Sequence, residues 1–375
     1  MNRAAAAKGI IREYAWDLGI DGIGSCDAEP LAETREAFES AIREGLIPRA
    51  SAPHRRTIEK LTTPRKHLKG ARSILSAFEY YHKGGNLEAD ASWGVIAGYT
   101  SANHYMDLKV KLERLASFMA REFGCRTKVF SCYVTLAEKP LAAKAGTGFY
   151  GKHGVIITPA YGSYVVLGEL LADVDLEPDK PSRLECGECT ECMEACPTGA
   201  ITAPYRLDRA RCIQYISERR GVIPREVRDV WGNRLYGCST CQEVCPFNRG
   251  LTPTPREVIF GRVGNSIPLG EILAMDDPGF HRRFANNQIG MREPAVIRRN
   301  AIVAAGNSCL DSFVPALTRL AGHPDPMIRQ HSLWALAKIR GPGVRSLLER
   351  SLAEDPDRLV RDEIKSLLDG LSRFA

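Results

Sequence analysis

The residues best equipped for chemistry in this 375-residue chain are its cysteines. Cys186, Cys189, Cys192 and Cys196, followed by Pro197, spell CxxCxxCxxxCP. In that spacing three thiolates hold three corners of a 4Fe-4S cube, and the fourth turns away to a second cube. A shortened copy follows as Cys238, Cys241, Cys245 and Pro246, and Cys212, the single cysteine between the two runs, supplies the missing thiolate. By the crossing rule Cys186, Cys189, Cys192 and Cys245 hold one cluster, and Cys196, Cys212, Cys238 and Cys241 hold the other. Zinc sites use four ligands in paired CxxC form and would leave sulfurs over. Disulfides require an oxidising compartment, to which nothing in the sequence points. Clusters of this kind pass one electron at a time, so they serve as wiring for a reaction centre elsewhere.

The elements that must position such a centre lie upstream. Helical periodicity over Ala7–Leu18 and Leu31–Glu44 precedes a strand at Ser73–Tyr80, a helix at Tyr105–Phe123 and a strand at Lys128–Tyr133. A helix at Ala137–Ala145, the glycine cluster Gly146–Gly151 and strands at Val155–Thr158 and Tyr164–Leu170 complete the region. Gly146, Gly148 and Gly151 spell GxGxxG, but a dinucleotide site needs a strand before the glycines and a helix after them. Here the order is reversed, which leaves a loop free to approach a large ligand, with Lys152 and His153 beside it. The reading is a multidomain α/β chain: an α/β or α+β domain over 1–180, a bacterial ferredoxin-like double 4Fe-4S domain over 181–255, and a linker with HEAT-like α-helical repeats over 256–375.

Composition agrees with a folded chain of two or three domains. Hydrophobic residues make up 44% and charged residues 26%, and the net charge of +6 permits a polyanionic partner without demanding one. Met1–Asp17 lacks an apolar signal core, and no apolar run is long enough to span a bilayer, so a cytoplasmic protein with no membrane partner is expected. A monomer is compatible with the sequence.

GCSTCQEVCPFN at 237–248, with its Gly237 and Gln242, AEKPLAAKAGTGFYGKHG at 137–154 and YGSYVVLGE at 161–169 closely resemble the epoxyqueuosine reductase family, and TPRKHLKGARSIL at 63–75 begins the resemblance. The resemblance implies a cobalamin in the N-terminal domain, fed by the two clusters and an external low-potential electron donor. It implies an oxidoreductase that turns epoxyqueuosine into queuosine in a tRNA anticodon loop. It also implies Arg56, Tyr99, Cys132, His153 and Ser163 as cofactor neighbours. Where the family has its aspartate acid the chain has Cys132, a weaker acid that could instead ligate cobalt, act as a redox thiol or be a small buried residue. Glu138, six residues on, is an alternative proton donor or the ion-pair partner of Lys139 or Lys152. The family's Arg-Asp-Tyr-His segment reads Asn103, His104, Tyr105 and Met106, and its paired acidic residues between the last cluster cysteines are replaced by Ser239 and Thr240. A corrinoid iron-sulfur electron-transfer or reactivation protein with no tRNA substrate is the alternative.

Beyond the proline-bearing Leu251–Pro255, a repeat aligns Val296, Ile297 and Arg298 with Met327, Ile328 and Arg329 and with Leu359, Val360 and Arg361. The period is that of helix-pair solenoids, whose units must stack to bury their apolar stripes. Arg298, Arg329 and Arg361, with Arg282, Arg283, Arg292 and Arg299, either cradle phosphates or cap turns and pair with acidic neighbours. Tyr205, Trp231, Tyr236 and Phe247 are either base-stacking or core aromatics. Cys26, Cys125 and Cys309 read as buried hydrophobes. His54, His67, His82 and His281 show no paired ligand spacing.

Overall fold

Two strands of the chain, Ser73–Tyr80 (β2) and Val165–Ala172, are buried at every residue, the signature of strands covered on both faces. They pair antiparallel at the centre of a four-stranded sheet, with Ser76 opposite Glu169. Gly22–Asp27 (β1) flanks β2, and Thr127–Ser131 flanks the other central strand, both antiparallel. This computed structural model describes residues 3–84, 90–131 and 135–372. It divides into two compact units: residues 1–84, 103–210 and 240–260 form the first, and residues 85–102, 211–239 and 261–375 the second.

In the first unit, helix α1 (Arg3–Asp17) and the short helices α2 (Ala32–Arg43) and α3 (Arg55–Leu61) precede α4 (His104–Phe123). Asn103 caps α4 by accepting from the Met106 N–H, and Gly124 ends it in the left-handed conformation at φ 63°. Its stripe of Leu108, Leu112, Leu115 and Met119 lies against one sheet face. The other face is covered by α5 (Glu138–Lys144), where Leu141 and Ala145 pack with Cys26, Ile74, Phe130 and Leu171. β1 has no sequence alternation because its glycines answer to sterics. A Cβ on Gly24 would sit 2.0 Å from the Ala145 carbonyl oxygen, and one on Gly22 2.4 Å from the Phe78 ring.

Following α5, Phe149–Tyr150 and Ile156–Ile157 pair as a small hairpin, so the helix-before, strand-after order expected around the glycines holds. The glycines are not held open for a ligand, however. A Cβ on Gly146 would meet the Lys180 carbonyl at 2.4 Å, and one on Gly151 the His153 ring at 2.5 Å, so the chain itself occupies the space.

The second unit contains a three-stranded sheet, Arg234–Tyr236, Trp93–Ile96 and Ser266–Pro268, and the helical repeats. Helices Pro294–Ser308, Pro326–Arg340 and Arg358–Ser372 begin at the three aligned repeat positions, each preceded by a turn. Repeat arginines are tied inward rather than lined up for phosphates. Arg329 pairs bidentately with Asp355 at 2.7 and 2.8 Å, Arg298 reaches Asp277 at 2.9 Å, and Arg361 donates to the Asp355 carbonyl. Arg299 is buried and donates to the carbonyls of Ile216, Arg219 and Gly221, Arg283 pairs with Glu271, and Arg292 donates to the Tyr236 hydroxyl. Of the two readings offered for these arginines, capping and pairing with neighbouring groups is the one that these six contacts fit. Trp231 and Tyr236 are core aromatics of this unit. Cys309 is corrected: it is exposed, because it closes its helix in the left-handed conformation at φ 54°. Cys26 and Cys125 are buried as expected.

Candidate functional site

In the first unit the short helices Glu191–Glu194 and Thr240–Glu243 pack together, and each carries a cysteine run. Cys186, Cys189, Cys192 and Cys245 line one cavity of about 230 Å³, closed by Lys152, His153, Pro246 and Phe247. This is the first ligand set deduced from spacing. Burial pushes the Cys192 thiol up to about 11, and the neighbouring thiols of Cys186, Cys189 and Cys245 add to it. The same neighbours raise Cys245, after burial. Four thiols turned toward one hollow repel one another as thiolates, which cationic iron relieves, so the donor set fits a 4Fe-4S cube. Among the described residues no cysteine is in a disulfide. Also among them, no group of three or more His, Cys, Asp or Glu side chains converges tightly enough for a single metal ion.

Of the second ligand set, Cys196 and Cys241 belong to the first unit and Cys212 and Cys238 to the second. Burial raises Cys196, but the N–H groups of Ile201, Ala200 and Thr198 outweigh it and hold the thiol below its usual range. Cys212 stands at the N-terminal end of helix Ile213–Glu218, and the Cys238 N–H donates to Gln214 Oε1 at 3.3 Å. Tyr99 is in this second unit and donates its phenol to the same oxygen at 2.8 Å.

The polar frame of the first set is fully connected. Gln242 Nε2 donates to the Ser163 carbonyl at 2.7 Å, Asn248 Nδ2 donates to Ser163 Oγ at 2.8 Å, and the Ser163 N–H donates to Asn248 Oδ1 at 2.7 Å. Lys152 Nζ donates to the carbonyls of Gly187 and Cys189, which latches the glycine loop to the cysteine run. His153 is buried; its Nδ1 accepts from the Val155 N–H, and burial first, then Lys139, pushes it down to about 4. Its Nε2 is sealed from solvent and has no hydrogen-bond partner, so the neutral ring presents a polar atom to whatever group fills the site.

The five expected cofactor neighbours are met in different settings. His153 lines the thiol cavity, and Ser163 braces its frame. Arg56 lines a different cavity of about 900 Å³ with Arg35, Glu39, His54, Arg55 and Glu59. Tyr99 lies in the other unit, and Cys132 falls outside the described residues. The orphaned His153 nitrogen and the roomy arginine-lined cavity fit a large polar cofactor, though not at one point. Phe247 meets Phe149 edge-on, and Tyr205 is exposed.

One functional candidate escaped the sequence reading. Glu169 is fully buried in the middle of VVLGELLA, and both of its carboxyl oxygens lack a hydrogen-bond partner. Burial raises it well above the usual carboxylate range, and Glu138 adds to the rise. A glutamate in an otherwise apolar strand was the available signal. Ser76, opposite it, is also sealed and without a well-formed hydrogen bond. Lys139 and Lys152, the ion-pair partners considered for Glu138, donate instead to carbonyls.

Comparison with known proteins covers the whole chain. A model described as a 4Fe-4S double cluster binding domain matches residues 185–248, which include all eight motif cysteines, and a HEAT-repeat model matches 290–368. An epoxyqueuosine reductase of Bacillus cereus is 31% identical over 96% of this chain and 96% of its own length. A crystal structure of epoxyqueuosine reductase with an epoxyqueuosine-modified tRNA-Tyr stem loop superposes with a TM-score of 0.88 at 32% identity, covering 98% of this chain and 99% of that one. A structure from Bacillus subtilis, whose aspartate-bearing catalytic loop is swung out of its active site, gives 0.86 at 32% identity over 97% and 98% of the two chains.

Proposed function

Because the chain belongs to the epoxyqueuosine reductase family, we propose that it removes the epoxide oxygen of epoxyqueuosine in tRNA. Four thiols facing one cavity, in a chain that resembles these reductases from end to end, are the observation that carries the reading. When bound, two 4Fe-4S clusters would supply single electrons at low potential and a cobalamin would supply the nucleophilic centre that takes up the epoxide carbon.

The chain's own residues have definable tasks in this reading. Cys186, Cys189, Cys192 and Cys245 hold one cluster, and Cys196, Cys212, Cys238 and Cys241 hold the other. Lys152, Gln242 and Asn248 fix the loop and cysteine runs so that the thiols keep their spacing. Arg56, Tyr99, Cys132, His153 and Ser163 are the proposed neighbours of the corrin, His153 through its free Nε2. A tRNA anticodon loop is the proposed partner and the cytoplasm the proposed location. Among the described residues no helix is long and apolar enough to cross a membrane.

The decisive experiment begins with anaerobic purification, iron and sulfide analysis and a visible spectrum for bound corrin. The reduced protein is then given tRNA carrying epoxyqueuosine, and its nucleosides are resolved by mass. Conversion to queuosine is expected. Unchanged nucleoside despite reducible cobalt would favour the second reading, a corrinoid iron-sulfur electron-transfer protein, which Cys132 at the family's aspartate position supports. A Cys132→Asp variant that gains turnover would return the chain to the first.

A further inference from the structure

Resting on the reductase reading above, we propose that Glu138 and Glu169 form a carboxyl pair that keeps a proton inside the first unit and delivers it, through Glu138, to the oxygen leaving the epoxide. Three oxygens define the pair. Glu169 Oε1 and Oε2 and Glu138 Oε1 are all sealed from solvent, and none has a hydrogen-bond partner among the described residues. A carboxylate in that position would be unpaired and desolvated at a cost of several kcal/mol. Only a protonated pair is tolerable there.

Lys139 opposes the rise at Glu138 but does not outweigh burial. Lys144 on the same helix turns to Asp27 at 2.6 Å, Lys139 donates to the Gly154 carbonyl, and Lys128, on the facing strand, donates to the His67 carbonyl. β1 contributes Cys26, whose thiol burial raises to about 12, and β2 contributes the Ser76 hydroxyl. Ser76 opposes the rise at Glu169, but burial and the neighbouring Glu138 outweigh it, as in any dry site that holds two carboxyls. Burial raises Glu138 to about 8, with Lys139 opposing.

Position gives the pair an inner and an outer member. Glu169 is 0% exposed, whereas Glu138, the first residue of α5, keeps partial access. Lys139 ties that end of α5 to the loop bearing His153, which lines the thiol cavity. The sealed residue stores and the open one donates.

The chemistry balances. Removing an epoxide oxygen breaks two C–O bonds, forms a C=C bond and consumes two electrons and two protons, with the oxygen leaving as water. The electrons come from the external low-potential one-electron donor. One proton comes from Glu138, whose O–H bond breaks as the oxygen takes it up. Glu169 then returns a proton to Glu138, which passes it on as the second proton of the departing water, and solvent refills the pair through its outer member. Glu138 is thus the donor and Glu169 a positioning residue.

Infrared difference spectra of the holoenzyme without substrate, in H2O and D2O, test the store directly. A protonated carboxyl band that survives neutral pH is expected, with the Glu138 part fading near pH 8, and Glu138→Gln and Glu169→Gln should each remove one part of it. Single-turnover rates on epoxyqueuosine tRNA follow, in variants shown to retain wild-type iron. Glu138→Gln should lose about 100-fold, the lower range for a general acid. Glu169→Gln should move the alkaline limb of the pH–rate profile to lower pH, because Glu138 loses the neighbour that holds its proton. Absence of the band overturns the proposal, as do wild-type rates and an unmoved limb in both variants when the wild type turns over. If the loaded wild type leaves epoxyqueuosine untouched, the reductase reading falls and takes the proposal with it, which is a distinct result.

Discussion

The central sheet of the first unit buries a glutamate on each face, and the two keep different company. Glu79 on β2 faces α4, where Lys111 Nζ reaches it at 2.5 Å and His104 Nδ1 at 3.5 Å; Asp107 shares the lysine and Arg256 stands 4.0 Å away. Glu169 faces α5 and receives no cation at all. The first has charged partners, which counter the rise that burial imposes on it without cancelling it. The second is a charge the fold prevents from forming, and a protein retains such a group where its proton is used. Burial in the same sheet therefore does not decide the role of a carboxyl; its partners do.

Breaking the offset side should have the largest effect. Lys111→Met strands Glu79 in the core and should destabilise the protein by about 3 kcal/mol, the usual result of removing one partner of a buried pair. Denaturant unfolding of the holoenzyme, read by far-UV dichroism, checks it. Glu169→Gln should act with the opposite sign. Above the ordinary glutamate value of 4.5 the folded state holds on Glu169 a proton that the unfolded chain has released, because burial disfavours the carboxylate. Wild-type stability therefore falls as pH rises above that value. The glutamine variant escapes this, so it should be the more stable protein by about 1–2 kcal/mol near pH 8 and nearly equal to wild type near pH 4.5. Melting curves across the window measure the crossing, and a constant difference would mean that the pair holds no proton.

The sequence made the cysteine ligands and the repeats legible because both are periodic: thiolate spacing is fixed by the cube, and helix-pair spacing by stacking. The central strands were legible from their apolar runs. β1 was not, because GIGSCD is selected for small size beneath Phe78 and α5 rather than for hydrophobicity. Nor was the Glu138–Glu169 pair, whose members lie 31 positions apart and meet only when α5 packs on the strand carrying Glu169. The repeat arginines show the same limit. Their periodicity is visible, but whether a guanidinium faces phosphate or a neighbouring turn depends on Asp355 and Asp277 lying within reach.

That last point yields the smallest expected effect and separates two kinds of arginine. Arg329 spends its guanidinium on Asp355 and on the His323 and Pro324 carbonyls, whereas Arg56 lines a wide cavity and is exposed. Arg329→Ala should lower stability by about 1 kcal/mol, since a charge-assisted pair and two carbonyl bonds are lost at a partly exposed site. It should leave the salt dependence of tRNA binding unchanged, because a residue that contacts no phosphate releases no counterion. Binding isotherms at several salt concentrations read the slope. A slope shallower by about one unit in Arg329→Ala would return the repeats to the phosphate-cradle role from which their ion pairs now exclude them.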